Sequence, residues 1–82
     1  GQVEEARDLA ADTLTRQRQT LGEDHPDTLS TASNLAIDLA ALGQVEEARD
    51  LAADTLTRQR QVLGEDHPNT LILRRVMEIL DE

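Results

Sequence analysis

Residues 1–28 read GQVEEARDLAADTLTRQRQTLGEDHPDT, and residues 43–70 read GQVEEARDLAADTLTRQRQVLGEDHPNT. The two stretches differ at only two positions, where Thr20 and Asp27 are replaced by Val62 and Asn69. Sequences that return with a period of roughly 20–50 residues are typical of arrays built from stacked supersecondary units. The sequence therefore predicts a repeat protein, in which each unit covers part of its apolar surface with the next unit.

The first part of each copy has the pattern of an amphipathic helix. Apolar and small residues recur every three or four positions, as one face of a helix requires. Acidic residues stand in the first turn and arginines near the end, where the helix dipole favours each charge. We therefore expect helices over residues 1–21 and 44–63. In the second copy the apolar face consists of Val45, Ala48, Leu51, Ala52, Thr55 and Leu56.

The segment LGEDHP connects this helix to the next one. Gly22 suits the position after a helix end, because glycine adopts the left-handed conformation without a steric penalty. Pro26 suits the first helical turn, where its missing N–H has no helical partner. Asp24 or His25 would then cap the new helix. The same segment could suggest a metal site, but consecutive residues rarely converge on one ion, so we expect a helix start and no metal.

A second helix is predicted over residues 27–42, followed by a turn at Gly43. Its apolar face is formed by Leu29, Ala32, Leu35, Ala36, Leu39 and Leu42. A turn of two or three residues makes the flanking helices adjacent and antiparallel. Each unit is therefore expected to be a helical hairpin, in which the small residues Ala36 and Ala48 face each other.

The last stretch, residues 69–82, keeps a helical pattern but departs from the repeat. Three residues of the apolar face, Ala32, Ala36 and Leu39, have Arg74, Glu78 and Asp81 as their counterparts. This divergence predicts a terminal helix with a solvated outer face, as repeat arrays require at their ends. The expected fold class is all-α. We expect four helices that form one repeat domain over residues 1–82.

Composition narrows the function. The net charge is −9, all eight basic residues are arginine, and cysteine is absent. Such an acidic chain would be repelled by phosphate backbones, so we expect no nucleic-acid partner. No apolar run approaches the roughly 20 residues of a membrane span, so a cytoplasmic protein without a membrane partner is expected. No feature places a nucleophile against a base, and we expect neither an enzyme nor a bound cofactor.

The segments LGEDHP, NLAIDLAALG and EEARDLAADTL resemble the tetratricopeptide repeat in its 42-residue kinesin-light-chain-like form, which is also found in repeat arrays of bacterial signalling ATPases. The resemblance implies a short right-handed solenoid with the helix order B-A-B-A, where A and B are the first and second helices of a repeat. It also implies a concave face lined mainly by the A helices. The partner-binding positions implied there are Ser30, Ser33, Asn34, Ile37, Ala41, Ile72, Arg75, Val76 and Ile79.

Two functions remain open on this basis. The first is a protein–protein interaction scaffold that binds a peptide or partner protein on its concave face. The second is a self-assembling structural repeat unit, natural or designed, without a separate ligand. Arrays generally need about three repeats to be stable alone, so a homo-oligomer is expected. Because Arg74, Glu78 and Asp81 break the repeat pattern, we expect a closed dimer more than an open filament.

Overall fold

The computed structural model describes residues 1–82 and consists of four α-helices without a strand. The helices are α1 (Gln2–Thr20), α2 (Pro26–Ala41), α3 (Val45–Val62) and α4 (Pro68–Leu80). Each helix begins and ends within two residues of its predicted range. The expected all-α class is confirmed. None of the four helices is both long and apolar enough to cross a bilayer.

Helices α2 and α4 begin in the same way, with a histidine cap followed by proline. The backbone N–H of Asp27 donates a hydrogen bond to Nδ1 of His25 at 3.1 Å, and the N–H of Asn69 does the same to His67. Pro26 and Pro68 occupy the first helical position, as predicted. Of the two proposed caps, the structure therefore selects the histidine.

The chain reverses between α2 and α3 at Gly43, which has a φ of +80°. The N–H of Gly43 bonds the carbonyl of Ala40 at 3.1 Å, and the N–H of Gln44 bonds the carbonyl of Leu39 at 2.9 Å. This pair of bonds satisfies carbonyls at the end of α2 that lack a partner within the helix. Glycine is favoured here because a side chain at this φ would be strained.

Successive helices pack side by side in antiparallel pairs. Arg49 near the start of α3 reaches the carbonyl of Leu80 at the end of α4, at 2.7 Å, while Leu56 further along α3 packs against Leu73. Helix α2 also contacts α4, whereas α1 and α3 do not pack on each other. The four helices therefore form a short stack of helical hairpins.

The core consists of two clusters, each of which contains residues of both α2 and α3. The first contains Leu14, Ala32, Leu35, Leu39 and Ala48, and the second contains Ala36, Ala52, Leu56 and Leu73. The prediction that Ala36 faces Ala48 is therefore wrong. Residues of an antiparallel hairpin meet at similar distances from the turn. Ala48 lies close to Gly43 and meets Leu39, while Ala36 lies farther from it and belongs with Ala52.

The apolar stripe of α4 lies one position earlier in the repeat than that of α2. It consists of Leu73, Val76, Met77 and Leu80, whose counterparts are Thr31, Asn34, Leu35 and Asp38, whereas α2 buries Ala32, Leu35, Ala36 and Leu39. A one-residue step turns the stripe by about 100° around the helix axis. Arg74, Glu78 and Asp81 consequently remain exposed. This agrees with the solvated outer face predicted for the last helix.

Candidate functional site

A surface groove runs along the contact between α2 and α4. It consists of two adjoining concavities with volumes of about 60 and 160 Å³. The smaller one is lined by Ser30, Ser33, Asn34, Ile37, Asn69 and Ile72, and the larger one by Ile37, Ala40, Val76, Ile79 and Leu80. Because Ile37 lines both, the two concavities form one continuous surface, which we call the α2–α4 groove.

The end of the groove near the start of the two helices is polar. Asn34 is exposed there, so its amide can both donate to and accept from an incoming peptide group. Asn69 lies at the same end and stands where the first copy of the repeat has Asp27. The change from carboxylate to amide removes a negative charge from this end and leaves a side chain that can donate as well as accept.

The opposite end of the groove is lined by apolar side chains alone. Ile79 keeps 52% of its surface exposed, and Ile72, which lines the smaller concavity, is exposed to the same extent. Single exposed apolar residues are ordinary on soluble proteins, whereas grouped ones indicate an interaction surface. The groove therefore has one end suited to hydrogen bonds and one suited to apolar side chains.

A family model described as tetratricopeptide repeat matches the chain in two stretches, residues 1–27 and 28–69. The chain belongs to the tetratricopeptide repeat family. This confirms the resemblance drawn from the LGEDHP connector and the two helical segments. A comparison with curated proteins gave no match. Tetratricopeptide repeats generally mediate protein–protein interactions or form scaffolds, and they are typically not enzymes.

The second match ends at residue 69, just inside α4. Most of α4 therefore lies outside the segments that match the tetratricopeptide repeat model. This is the helix whose apolar stripe is shifted by one position. It also contributes Ile72, Val76 and Ile79 to the groove. One wall of the groove thus comes from a helix inside the matched segments, and the other from a helix that lies mostly outside them.

The tetratricopeptide resemblance implied nine partner-binding positions, and seven of them line the groove. These seven are Ser30, Ser33, Asn34, Ile37, Ile72, Val76 and Ile79. Ser33 is largely buried and offers little surface. Ala41 and Arg75 are exposed but lie outside both concavities, and Arg75 forms an ion pair with Glu78 at 3.1 Å.

Three further residues line the groove and were not among the implied positions: Ala40, Asn69 and Leu80. Their spacing contained a usable signal. Asn69 precedes Ile72 by three residues, Ala40 follows Ile37 by three, and Leu80 follows Val76 by four. Steps of three and four residues keep side chains on one helical face. The choice of Ala40 over its neighbour Ala41 depends on how α2 is rotated against α4, which spacing does not specify.

An ion-pair network holds the start of α2, from which the polar end of the groove projects. The guanidinium of Arg58 on α3 contacts Asp24 at 2.9 Å, Glu23 at 3.0 Å and Asp54 at 3.1 Å. The hydrogen bonds to Asp24 and then Asp54 raise the pKa of Arg58 above its ordinary value, so the group stays cationic. The acidic residues of the connector are thereby engaged in positioning α2.

No three His, Cys, Asp or Glu side chains come together in an arrangement that could hold a metal ion. In the connector, Nδ1 of His25 accepts the N–H of Asp27, while Glu23 and Asp24 contact Arg58. The chemistry that the connector carries in this fold is helix capping and ion pairing between one repeat and the next.

Proposed function

We propose that the chain is an interaction scaffold that binds a peptide segment of a partner protein in the α2–α4 groove. The observation that carries the proposal is a groove between two helices whose two ends differ in chemistry. Asn34 of α2 and Asn69 of α4 meet at the polar end, while Val76 and Ile79 line the apolar end. A bound peptide would place a backbone amide against the asparagines and an apolar side chain against the isoleucines.

The size of the groove favours a peptide over a small molecule. Small-molecule sites usually have volumes of roughly 300–1,000 Å³ and enclose most of the ligand. The two concavities, of about 60 and 160 Å³, are well below that range. They suit single side chains that project from a longer segment lying across the surface.

The charge of the chain favours a neutral or basic partner. With a net charge of −9, the chain attracts cationic segments and repels acidic ones over distances of about a Debye length. Asn69 in place of an aspartate lowers this charge locally, so an apolar segment flanked by basic residues suits both the groove and its surroundings.

The test is selection from a random-sequence peptide display library, followed by fluorescence anisotropy with an enriched peptide. Ile79→Asp should weaken binding at least tenfold, since a charge at an apolar contact costs about 1.4 kcal/mol or more. Ala41→Asp is the matched control, because Ala41 is exposed on α2 outside the groove. Equal losses for the two variants, or a library with no enriched peptide, would contradict the proposal.

Self-assembly is a second candidate for the same surface. Ile72 and Ile79 are each 52% exposed. Burial of a fully exposed apolar side chain is worth roughly 1.5–3 kcal/mol, so covering each half-exposed isoleucine stabilises a complex by about half of that amount. A two-fold symmetric dimer through the groove would cover both. The charged outer face of α4, with Arg74, Glu78 and Asp81, disfavours an open filament.

Sedimentation velocity at tens of micromolar distinguishes the two candidates. A dimer that dissociates in the Val76→Asp variant would favour self-assembly through the groove. A wild-type chain that sediments as a folded monomer would exclude self-assembly at these concentrations and leave the groove to a peptide partner.

A further inference from the structure

The apolar end of the α2–α4 groove is a concavity with a volume of about 160 Å³. Its two walls are α2 and α4, which also contact each other directly. All of the side chains that line it are aliphatic: Ile37, Ala40, Val76, Ile79 and Leu80. The α2–α4 contact itself therefore builds this space, and its size and lining determine which side chain fits.

The volume of the concavity suits one aromatic ring. In another protein, a dry apolar cavity of about 150 Å³ holds a single benzene molecule. A valine or leucine side chain is smaller than a benzene ring and would leave part of the concavity empty. Lining atoms beside an empty space lose van der Waals contacts. An aromatic ring of a partner therefore fills the concavity better than an aliphatic side chain does.

The lining of the concavity distinguishes between the aromatic residues. A buried tyrosine hydroxyl or tryptophan N–H usually has a hydrogen-bond partner. None of the five lining side chains can donate or accept a hydrogen bond. Phenylalanine offers a ring of the right size without a polar group, so it matches this lining best.

Ala40 leaves the room that a ring requires. It is half-buried, and it is the one lining residue without a branched side chain. A leucine at this position would project into the concavity and occupy part of its volume. The next residue, Ala41, is exposed and lies outside both concavities. The two neighbouring alanines therefore allow a matched test of the space.

The α2 wall of the groove carries only negative charge. The charged residues of α2 are Asp27 and Asp38, and neither forms an ion pair. Asp38 directly follows Ile37 and lies four residues after Asn34, so it stands beside the apolar end of the groove. Asp27 lies about 16 Å away along the helix axis, since each residue adds about 1.5 Å.

The two carboxylates differ in their position along the helix dipole. Asp27 lies in the first turn of α2, where the dipole stabilises an anion. Asp38 lies in the last turn, where cations are favoured, and this turn contains no basic residue. Asp38 is also half-buried. A cation of a bound partner would therefore compensate Asp38 more than Asp27.

We propose that the peptide segment bound in the groove carries a phenylalanine, which fills the apolar concavity, beside a lysine or arginine, which pairs with Asp38. This inference rests on the proposed peptide-binding function and names the side chains by which the site recognises its partner. A second copy of the chain does not meet these requirements. It contains no phenylalanine, tyrosine or tryptophan, and its net charge of −9 repels an identical chain.

The test begins with a random-sequence peptide display library selected on the full chain. We expect enrichment of peptides in which phenylalanine stands beside lysine or arginine. In fluorescence anisotropy, replacing that phenylalanine with alanine should weaken binding at least about tenfold, as truncation of an anchor residue does. Replacement with leucine should weaken it roughly fivefold or more, because part of the concavity is then unfilled.

Two matched pairs of variants test the protein side of the contact. Ala40→Leu should weaken binding at least about tenfold by filling the concavity, whereas Ala41→Leu should leave it unchanged. Asp38→Asn should weaken binding roughly fivefold and reduce its dependence on salt. Asp27→Asn, which reproduces Asn69 of the second copy, should have no such effect. Thermal unfolding checks that each variant is folded, and the midpoint of Asp38→Asn should not fall.

The outcomes separate this inference from the function on which it rests. Enriched peptides that lack an aromatic residue but lose binding in Ile79→Asp would overturn the inference and leave the proposed function standing. Equal affinity for the phenylalanine and leucine peptides would overturn it as well. So would equal losses in Ala40→Leu and Ala41→Leu, or unchanged binding in Asp38→Asn. A library without any enriched peptide would contradict both the proposed function and this inference.

Discussion

Helices α1 and α3 share 17 consecutive residues, Val3–Gln19 and Val45–Gln61, yet α1 buries only Leu14 while α3 buries five side chains. The five are Ala48, Ala52, Thr55, Leu56 and Gln59. Helix propensity, charge pattern and apolar periodicity are the same in both copies. Most of a helix's contribution to stability therefore comes from the neighbours that cover it.

The arginines of the two helices show the same contrast. Arg16 pairs only with Asp12 on its own helix, whereas Arg58 contacts three carboxylates, two of which precede α2. Arg7 reaches the side chain of Gln44 beyond the end of α2. Arg49, its copy, reaches the last carbonyl of α4. An arginine in this repeat therefore connects helices wherever a neighbouring helix end lies within its reach.

The largest losses of stability are expected at the leucine that both helices bury. Leu14 and Leu56 are both buried, one in each core cluster. Leu14→Ala and Leu56→Ala should each lower the free energy of unfolding by about 2–5 kcal/mol, through lost burial and the cavity left behind. Urea unfolding followed by circular dichroism measures both. A loss for Leu14→Ala far below that for Leu56→Ala would mean that α1 is not docked on α2.

A smaller loss of stability, which should differ between the two helices, is expected at Ala48 and its copy Ala6. Ala48→Leu should lower the free energy of unfolding by about 1–3 kcal/mol, because a larger side chain overpacks its contact with Leu35 and Leu39. Ala6→Leu should stay within about 0.5 kcal/mol, as exposed substitutions usually do. Thermal unfolding of both variants at the same concentration is the measurement. Equal losses would show that something covers α1 in solution.

At Gln59 and its copy Gln17, a substitution is expected to stabilise the protein. Gln59 is fully buried, and neither its amide nitrogen nor its oxygen has a hydrogen-bond partner in the protein. Gln59→Met should raise the free energy of unfolding by about 1–2 kcal/mol, because unpaired buried polar atoms are unfavourable. Gln17 is only partly buried, so Gln17→Met should give a smaller gain. Chemical denaturation with both variants decides the point, and a loss of stability for Gln59→Met would contradict it.

The smallest change in stability is expected at Arg58 and its copy Arg16. Arg58→Ala should lower the free energy of unfolding by up to about 1 kcal/mol, since its side chain is only 29% exposed and meets three carboxylates. Arg16→Ala should lower it by roughly 0.3–0.5 kcal/mol, as for a pair within one exposed helix. The difference should narrow in 1 M salt, which screens exposed charges. A gap that does not change with salt would mean that Arg58 acts through packing.

Much of the fold could be predicted because its signals are local. Gly43 ends α2 through its positive φ, and the His-Pro pair starts α2 and α4 through one side-chain bond and one fixed dihedral. The sequence alone did not distinguish Asp24 from His25 as the cap of α2. Either residue can accept an N–H, and in both connectors the histidine directly before the proline takes this role, although only Asp24 is held by Arg58.

The groove could be predicted in part, because many of its residues stand at equivalent positions of α2 and α4. Seven of its residues follow from the family pattern of α2 and its copy in α4. Asn69 and Leu80 were not among the implied positions, because their counterparts Asp27 and Asp38 do not belong to the groove positions that the family pattern assigns to α2. The pairing of Ala36 with Ala52 also depended on the offset of two helices, which periodicity alone does not contain.

The helix ends, the apolar faces of the helices and the repetition of the unit can all be read from the sequence alone. These properties arise from bonds and dihedrals within a few residues, so both copies share them. The packing of the helices, in contrast, makes Ala48 buried and Ala6 exposed. It also lets Arg58 hold three carboxylates while Arg16 pairs with one. The physical reason is that burial belongs to a pair of surfaces, and two identical helices acquire different roles when only one has neighbours on both sides.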